Sequence, residues 1–379
     1  MEYFLTEEQQ MIRDMAREIA EKKIKPVRQE LDEKGEFPHD IMAELARSDL
    51  LRVFVPEEYE GMGGGVTEMC IVTEELSRVC PGVGTTYGAN GLAAMPILLY
   101  GSDEQKKRFL PKIAAGESFA AFALTEADAG SDAGGIKTTA KEVEDGYVIN
   151  GTKQFITNGE VADVYSVVVS TDPAKGARGA SIFVIEKGTP GFDFGKEENK
   201  MGIRSSKTTQ LIFNDCKISK ENLLGKRGLG FIIAMKTFDR TRPGVAAQAV
   251  GTAQGAFDEA LAYAKERKQF GKHITSFQGI QFMLADMATQ IEAARSLVYA
   301  TARMIDAGSK NFARESAMAK LYASDVAMRV TTDAVQIMGG YGYMKEYPTE
   351  KFMRDAKILQ IYEGTNQIQR EVIASHLIK

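Results

Sequence analysis

Near its C-terminal end the chain reads Ile361-Tyr362-Glu363-Gly364-Thr365-Asn366-Gln367-Ile368-Gln369. A carboxylate between an aromatic residue and a glycine, just before an amphipathic tail, raises the question of a catalytic role. Burial penalises the charged form and moves the carboxyl pKa towards neutrality, where a base matches its task. Tyr362 offers an apolar wall and Gly364 permits close backbone approach. The plain alternative is a solvated loop glutamate ahead of an amphipathic tail, and other stretches must decide between the two.

FALTEADAGSD, residues 122–132, is rich in small residues and carries hydroxyls at Thr125 and Ser131. Such a loop offers backbone N–H groups and side-chain donors to a flat ring or a pyrophosphate; it equally suits a polar turn feeding a hairpin. Neither GxGxxG nor P-loop spacing is present. FITNG, 155–159, puts Phe155 and Thr157 on one side of an extended segment. That pair reads as an aromatic cover with a hydroxyl beside it, or as one more half-buried strand. FDRTRPG, 238–244, sets Asp239 and Arg242 one helical turn apart. This is either a solvated ion pair worth about 0.2–0.5 kcal/mol or a grip on the amide and phosphate groups of a carrier. RKQFGK, 267–272, joins basic groups to an aromatic and a glycine, as an anionic cofactor tail requires. VQIMGGYGY, 335–343, uses Gly339 and Gly340 to bring backbone close to a partner. Both also read as ordinary helix ends.

The elements around these stretches fall into three blocks. Thr6 with Gln9 fits a helix-opening capping box, and Ile12, Met15, Ile19 and Ala20 follow at helical spacing until about Pro26. Further helices are expected over about 40–50, 67–79, 91–100 and 103–115. Residues 118–220 then hold short β-type runs, VYSVVVS, ASIFVIE and TQLIFND, with Asp145-Gly146 and Asn150-Gly151 as tight-hairpin signals. Spacing this short leaves no room for crossover helices and favours an antiparallel sheet. From about 226 the helical period returns: 244–268 is alanine-rich, and Phe277, Ile280, Met283, Met287 and Ile291 share one face.

The whole chain narrows the function. Its 379 residues suggest roughly two or three domains. A net charge of -5 argues against binding a nucleic-acid backbone over the whole surface. No apolar run is long enough for a membrane helix. Three dispersed cysteines and three histidines make neither a disulfide framework nor a metal site, so no metal is expected. The acidic start MEYFLTEEQQ lacks the order of a secretory signal or a transit peptide. The expected setting is therefore the bacterial-type cytoplasm, or the mitochondrial matrix for a processed eukaryotic form.

Taken in order, FALTEADAGSD, FITNG, FDRTRPG, ERKQFGK, DAVQIMGGYGY and MRDAKILQIYEGTNQIQ resemble the acyl-CoA dehydrogenase family, from the first helix to the last residues. The succession of motifs is far more specific than any one of them. The resemblance implies an α+β, mostly α fold: an N-terminal α-helical domain over 1–117, a central antiparallel β domain over 118–225 and a C-terminal helical bundle over 226–379. It also implies a homotetramer with FAD in each subunit, an acyl-CoA substrate and an electron-transferring flavoprotein as acceptor. An acyl-CoA oxidase and a DNA-associated flavoprotein of the same fold are the alternatives.

By the same resemblance, Phe122, Leu124, Thr125, Ser131, Phe155 and Thr157 would lie against the isoalloxazine. Phe155 stands where many members carry tryptophan, and the aromatic cover is kept. Arg267, Phe270 and Gln278, with Gln336, Gly339 and Gly340, would hold the adenine side of a neighbouring subunit's FAD, and Thr365 and Gln367 would reach the same cofactor. Ser131, Phe238, Asp239, Arg242, Tyr362 and Gly364 would contact the acyl-CoA. Glu363 would remove the α-proton while the β-hydrogen leaves as hydride to flavin N5, giving a trans-2-enoyl-CoA. The Glu363 N–H and a ribityl hydroxyl would steady the enolate oxygen. Thr241 occupies the alternative base position of the isovaleryl and long-chain branches and cannot serve as that carboxylate. Residues 83–96 would line the acyl pocket, with Gly88, Ala89 and Gly91 leaving volume and Tyr87 shortening it. Val83 stands where glutaryl-CoA dehydrogenases carry arginine, which disfavours that subclass.

Overall fold

Thr6 opens the first helix: its hydroxyl accepts the Gln9 N–H at 3.2 Å and the Gln9 side chain accepts the Thr6 N–H at 3.1 Å. The computed structural model describes residues 5–378, so the first four residues of the acidic start and Lys379 lie outside the described residues. Helix α1 spans Glu7–Ile19 and runs into a π turn, Ala20–Ile24. It is followed by α2 (Arg28–Lys34), α3 (His39–Arg47), α4 (Val66–Val79), α5 (Pro81–Tyr100) and α6 (Asp103–Ala114). Two of these differ from the periodicity. The short α2 was not expected, and α5 begins ten residues before the anticipated 91. Its Gly82, Gly84, Gly88 and Gly91 are poor helix formers, but almost the whole helix is buried, and packing overrides propensity.

Next come β1 (Ala120–Ala123), β2 (Thr139–Val143), β3 (Gly146–Thr157), β4 (Val164–Ser170), β5 (Ala180–Glu186), β6 (Phe192–Glu197) and β7 (Thr208–Ser219). The sheet order is β1-β4-β2-β3-β7-β6, with β5 on the other partner side of β4. Pairing is mainly antiparallel, but β1 runs parallel to β4, Ala120 opposite Val164, and β2 meets β4 at a parallel step. The antiparallel expectation fails there because the β2–β3 hairpin lies between β1 and β4 in sequence and supplies the long return that a parallel pair needs. Asp145-Gly146 does mark the hairpin. Asn150-Gly151 does not: it lies inside β3 at a bulge opposite β7, where Asn150 Nδ2 donates to Asp215 Oδ1 at 3.1 Å.

Strand β4 is buried on both faces. Val164 and Val168 join the helical core, while Tyr165, Val167 and Val169 pack with Phe183, Phe192 and Phe213 on the far side. The central β block is thus clamped to the helices by one face of its sheet.

The chain closes with α7 (Gly230–Glu266), a two-stranded hairpin β8 (Lys268–Gln269) and β9 (Lys272–His273), then α8 (Gln278–Asp306), α9 (Ala313–Met338), α10 (Thr349–Leu359) and α11 (Asn366–Leu377). Helix α7 is the axis of the molecule, packed on α4, α5, α8, α9 and α10. Its approach to α4 is set by glycine: a Cβ on Gly255 would lie 1.9 Å from the Arg78 carbonyl oxygen, and one on Gly251 2.2 Å from that of Glu74. Pro243 inside α7 has no N–H, which frees the Asp239 carbonyl. Ser316 of α9 donates its hydroxyl to that oxygen at 2.7 Å, tying α7 to α9 beside the site. Among the described residues no helix is long and apolar enough to cross a membrane.

Candidate active site

Glu363 lies in the loop between α10 and α11 with φ of 51°, the left-handed region that a non-glycine residue rarely adopts. Its backbone is held from three sides. Gln369 donates to the Glu363 carbonyl at 3.2 Å and to the Gly364 carbonyl at 2.9 Å. Arg242 Nε points at the Glu363 carbonyl from 3.4 Å, and Lys320 Nζ donates to the Gly364 carbonyl at 2.8 Å. The side chain enters a cavity of about 150 Å³, where Thr241 Oγ1 donates to Oε2 at 2.7 Å. Burial pushes the carboxyl up to about 7, against the pull of the Thr241 hydrogen bond and the nearby Arg242 and Lys320 charges. No protein acceptor takes the Glu363 backbone N–H among the described residues.

Three helices, two β segments and the Glu363 loop line this cavity. Helix α7 contributes Phe238, Thr241, Gly244, Val245 and Gln248, which fall on one face at helical spacing. The Gln248 carboxamide is fully engaged: Nε2 donates to Pro81 O at 3.0 Å and to Thr85 Oγ1 at 2.7 Å, and Oε1 accepts from the Tyr362 hydroxyl. On the β side, Phe122, Leu124, Thr125, Phe155 and Thr157 face the same space. Phe155 gets there by an unexpected route. Strand β3 bulges between Lys153 and Ile156, and Phe155 has φ of 58°, so strand alternation does not place it. The ring is 59% exposed. Beneath it, buried Lys153 donates to Leu124 O at 2.9 Å and to Glu126 Oε1 at 2.7 Å. Glu126 also accepts the Lys137 and Thr138 N–H groups, so the loop behind Leu124 and Thr125 is braced from within.

Models of three acyl-CoA dehydrogenase domains match the chain: the N-terminal domain over residues 6–117, the middle domain over 121–216 and the C-terminal domain over 228–378. The chain belongs to the acyl-CoA dehydrogenase family. It is 48% identical over 380 residues to the short-chain specific acyl-CoA dehydrogenase of Clostridium acetobutylicum, covering 100% of both chains. Among solved structures it is similar to butyryl-CoA dehydrogenase from Megasphaera elsdenii, with a TM-score of 0.97, 48% identity and 99% of each chain covered. A chain from a structure described as the electron transferring flavoprotein of Acidaminococcus fermentans matches with a TM-score of 0.97 at 52% identity, again over 99% of each chain.

In this acyl-CoA dehydrogenase the residues singled out from sequence divide into groups. Glu363, Tyr362, Phe238, Phe122, Leu124, Thr125, Phe155 and Thr157 meet in the cavity. Arg242 is buried and turned towards the Glu363 loop, paired with Asp239 at 3.0 Å. Asp239 itself borders a separate cavity of about 820 Å³ with Lys236, Arg240, Lys310, Arg314 and His376. Ser131 is exposed beyond the cavity. Thr365 caps α11, accepting the Ile368 N–H at 3.3 Å, while Gln367 is exposed. Arg267, Gly339 and Gly340 line another cavity, of about 480 Å³. Phe270, at 93% exposure, forms the tip of the β8–β9 hairpin with Gly271, and Gln278 and Gln336 are exposed on helix ends. Tyr87 is a correction. It does not shorten the cavity, because its ring is buried among the N-terminal helices and its hydroxyl donates to Leu50 O at 3.1 Å.

Several residues around Glu363 are given no such role from the motifs. Thr241, set aside as a carboxylate substitute, donates to the Glu363 carboxylate. Gln248 stands alone in the apolar run VAAQAVG, and Lys320 sits at helical spacing amid buried Ser316, Ala317, Ala323 and Ser324. A long polar side chain on an otherwise small-residue helix face is the signal that finds both. Met69 of α4 lines the cavity as well, wedged between two glycines: a Cβ on Gly244 would lie 3.0 Å from its Cε, and one on Gly91 3.3 Å from its sulfur.

Proposed function

We propose that this acyl-CoA dehydrogenase holds FAD and oxidises short-chain acyl-CoA thioesters to 2-enoyl-CoA, with Glu363 as the base and an electron-transferring flavoprotein as electron acceptor. The observation that carries the reading is the Glu363 carboxylate, held by Thr241 inside a cavity with its own N–H unclaimed. The α-proton of a thioester is weakly acidic, so the carbonyl oxygen needs a donor where enolate charge develops. The Glu363 N–H supplies one. A carboxyl pushed up to about 7 is matched to proton transfer near neutral pH. Thr241 orients it, and Phe122, Phe238 and Tyr362 keep water out.

The residues present fit a flavin. Thr125 and Thr157 bring hydroxyls to the cavity with no protein partner among the described residues, next to a largely exposed Phe155 ring. Leu124, Thr125, Phe155 and Thr157 would hold the ring system, with Ser131 beyond the cavity. When bound, FAD supplies the acceptor for the β-hydride. Arg267, Gly339 and Gly340 line a second cavity, and Phe270, Gln278 and Gln336 are exposed, in keeping with a homotetramer in which a second subunit's FAD meets these residues.

The acyl end favours a short chain. Gln248 is seven residues past Thr241 on α7, about 10 Å along the axis at 1.5 Å per residue. Its carboxamide, Thr85 and the Tyr362 hydroxyl form a polar, hydrogen-bonded floor, and Met69 narrows the way to it. The relatives named short-chain specific and butyryl-CoA dehydrogenase support the same length. Lys236, Arg240, Lys310 and Arg314 beside Asp239 form a basic mouth suited to the phosphates of CoA.

The test is anaerobic mixing with butyryl-, octanoyl-, isobutyryl- and cyclohexanecarboxyl-CoA, reading loss of the yellow flavin band. Butyryl-CoA should bleach it fastest. Glu363→Gln should stay yellow and fail to bleach; normal bleaching would refute the assignment of the base. Slow turnover in air, restored by electron-transferring flavoprotein, separates a dehydrogenase from an oxidase.

A further inference from the structure

Lys320 of α9 is fully buried, yet its two acceptors are neutral oxygens: Gly364 O at 2.8 Å and Asn366 Oδ1 at 3.0 Å. A buried ammonium without a paired carboxylate is costly, and a fold that needed only packing at this position would be better served by an apolar side chain. The expense falls on the loop that carries Glu363. Asn366 is in turn held by Asp325, which accepts from Asn366 Nδ2 at 2.8 Å and from Gln360 Nε2 at 2.6 Å. Both ends of the Glu363 loop are therefore stapled to the same helix, and Lys320 binds the carbonyl directly after the base.

We propose that Lys320 is a positioning residue for the base: its ammonium clamps the Gly364 carbonyl, keeps Glu363 in its left-handed backbone conformation and stabilises the ionised carboxylate. This rests on the reading of Glu363 as base. The charged groups around the loop are Asp239 and Arg242 from α7, Asp325 from α9 and Arg370 from α11, which reaches Asp325 Oδ2 at 3.4 Å. Arg242 and Lys320 are the cations that draw the Glu363 carboxyl down, one placed at the Glu363 carbonyl and the other at the Gly364 carbonyl. Burial lowers Lys320 to about 7, while Glu363 and Asp325 pull it back up and Arg242 pushes it further down. Lysine and base thus favour each other's charged form where the two titrations meet, around pH 7.

Three variants separate charge from hydrogen bonding: Lys320→Arg keeps both, Lys320→Gln keeps donors without charge, and Lys320→Met keeps neither. Each is purified with bound flavin and checked by thermal unfolding, then followed over about pH 5.5 to about pH 9 with butyryl-CoA. The acid limb of kcat/KM should move to higher pH in Lys320→Gln and Lys320→Met, with about a tenfold loss near pH 6 for each unit moved. Lys320→Met should also lower kcat at high pH, where the charge no longer matters, while KM stays close to that of the parent. Lys320→Arg should restore the limb. An unmoved limb in both neutral variants would overturn the proposal, provided Glu363→Gln is inactive. If Glu363→Gln bleaches normally, the base assignment falls first. Failure of both neutral variants to fold would assign Lys320 to the scaffold and overturn the proposal too.

Discussion

The Thr241 hydroxyl donates to Glu363 Oε2 at 2.7 Å, joining the middle of α7 to the loop after α10. A donor to a charged acceptor is worth about 1.5–3 kcal/mol, and here it favours the ionised carboxylate. In Thr241→Val the effect of burial is less opposed, so the Glu363 carboxyl rises further above its about 7. As the proposed base, Glu363 acts when ionised, and activity is lost as pH falls through that value. The expected outcome is a loss of kcat/KM on the order of tenfold near pH 6 with little change near pH 9. A pH–rate profile with butyryl-CoA checks it, and an equal loss at every pH would mean that Thr241 acts through geometry alone.

Met69 offers a handle on chain length. Its side chain occupies the notch left by Gly91 and Gly244 on the way to the Gln248 floor. Met69→Ala should open that notch and raise kcat/KM for octanoyl-CoA relative to butyryl-CoA by roughly tenfold, the effect of a methylene or two in an apolar pocket. Gly244→Ala, whose Cβ would crowd Met69 Cε at 3.0 Å, should shift the ratio the other way. The ratio of the two rate constants is the measurement, and parallel changes in both substrates would exclude Met69 as a determinant of length.

What the sequence discloses and what it hides follow from physics. The Thr6–Gln9 cap and the strands β4, β5 and β7 are legible because local hydrogen bonding and continuous apolar runs specify them. Glu363 and the β-side wall are legible through the order of motifs, and the structure brings them into one cavity. The start of α5 is not legible, because its glycines and Pro81 argue locally against the helix that packing imposes. The positive φ of Phe155 and of Glu363 hides too, since neither residue is a glycine. Contacts between distant elements are the least visible. The neighbours of Lys320 and Ser316 in the chain do not name their partners, the Gly364 carbonyl for one and the carbonyl freed by Pro243 for the other.

The Lys153–Glu126 pair is buried behind the Leu124–Thr125 loop, with Nζ 2.7 Å from Oε1. Removing one member of such a pair leaves the other charge buried and costs about 3–5 kcal/mol. Lys153→Met should therefore lower the thermal midpoint and weaken flavin retention, because the Leu124 carbonyl loses its donor as well. Adding Glu126→Gln should recover part of the stability by removing the orphaned charge. Thermal unfolding and flavin content after gel filtration read the two effects. A double variant no better than Lys153→Met would show that the hydrogen bonds of Glu126 to Lys137 and Thr138 outweigh its charge.

Gly364 tests whether the geometry of the base loop, as distinct from its charge, limits the reaction. Its φ is 92°, strained for any L side chain, and an added Cβ would lie 2.7 Å from Gln369 Nε2 and 3.6 Å from Arg242 Nη2. Gln369 and Arg242 are the groups that hold the Glu363 carbonyl, so a methyl there displaces the braces of the base while touching neither its carboxylate nor Thr241. The cavity wall of Leu124, Thr125, Phe155 and Thr157 on the β side is untouched. Gly364→Ala should bind flavin normally and lose kcat by about ten- to a hundredfold, since misplacing a reacting group by an ångström has that order of effect. Because no charge is altered, the acid limb should stay where the parent has it, unlike the limb of Thr241→Val. A moved limb with unchanged kcat would show that the loop carbonyls tune the ionisation of Glu363 and do not set its position.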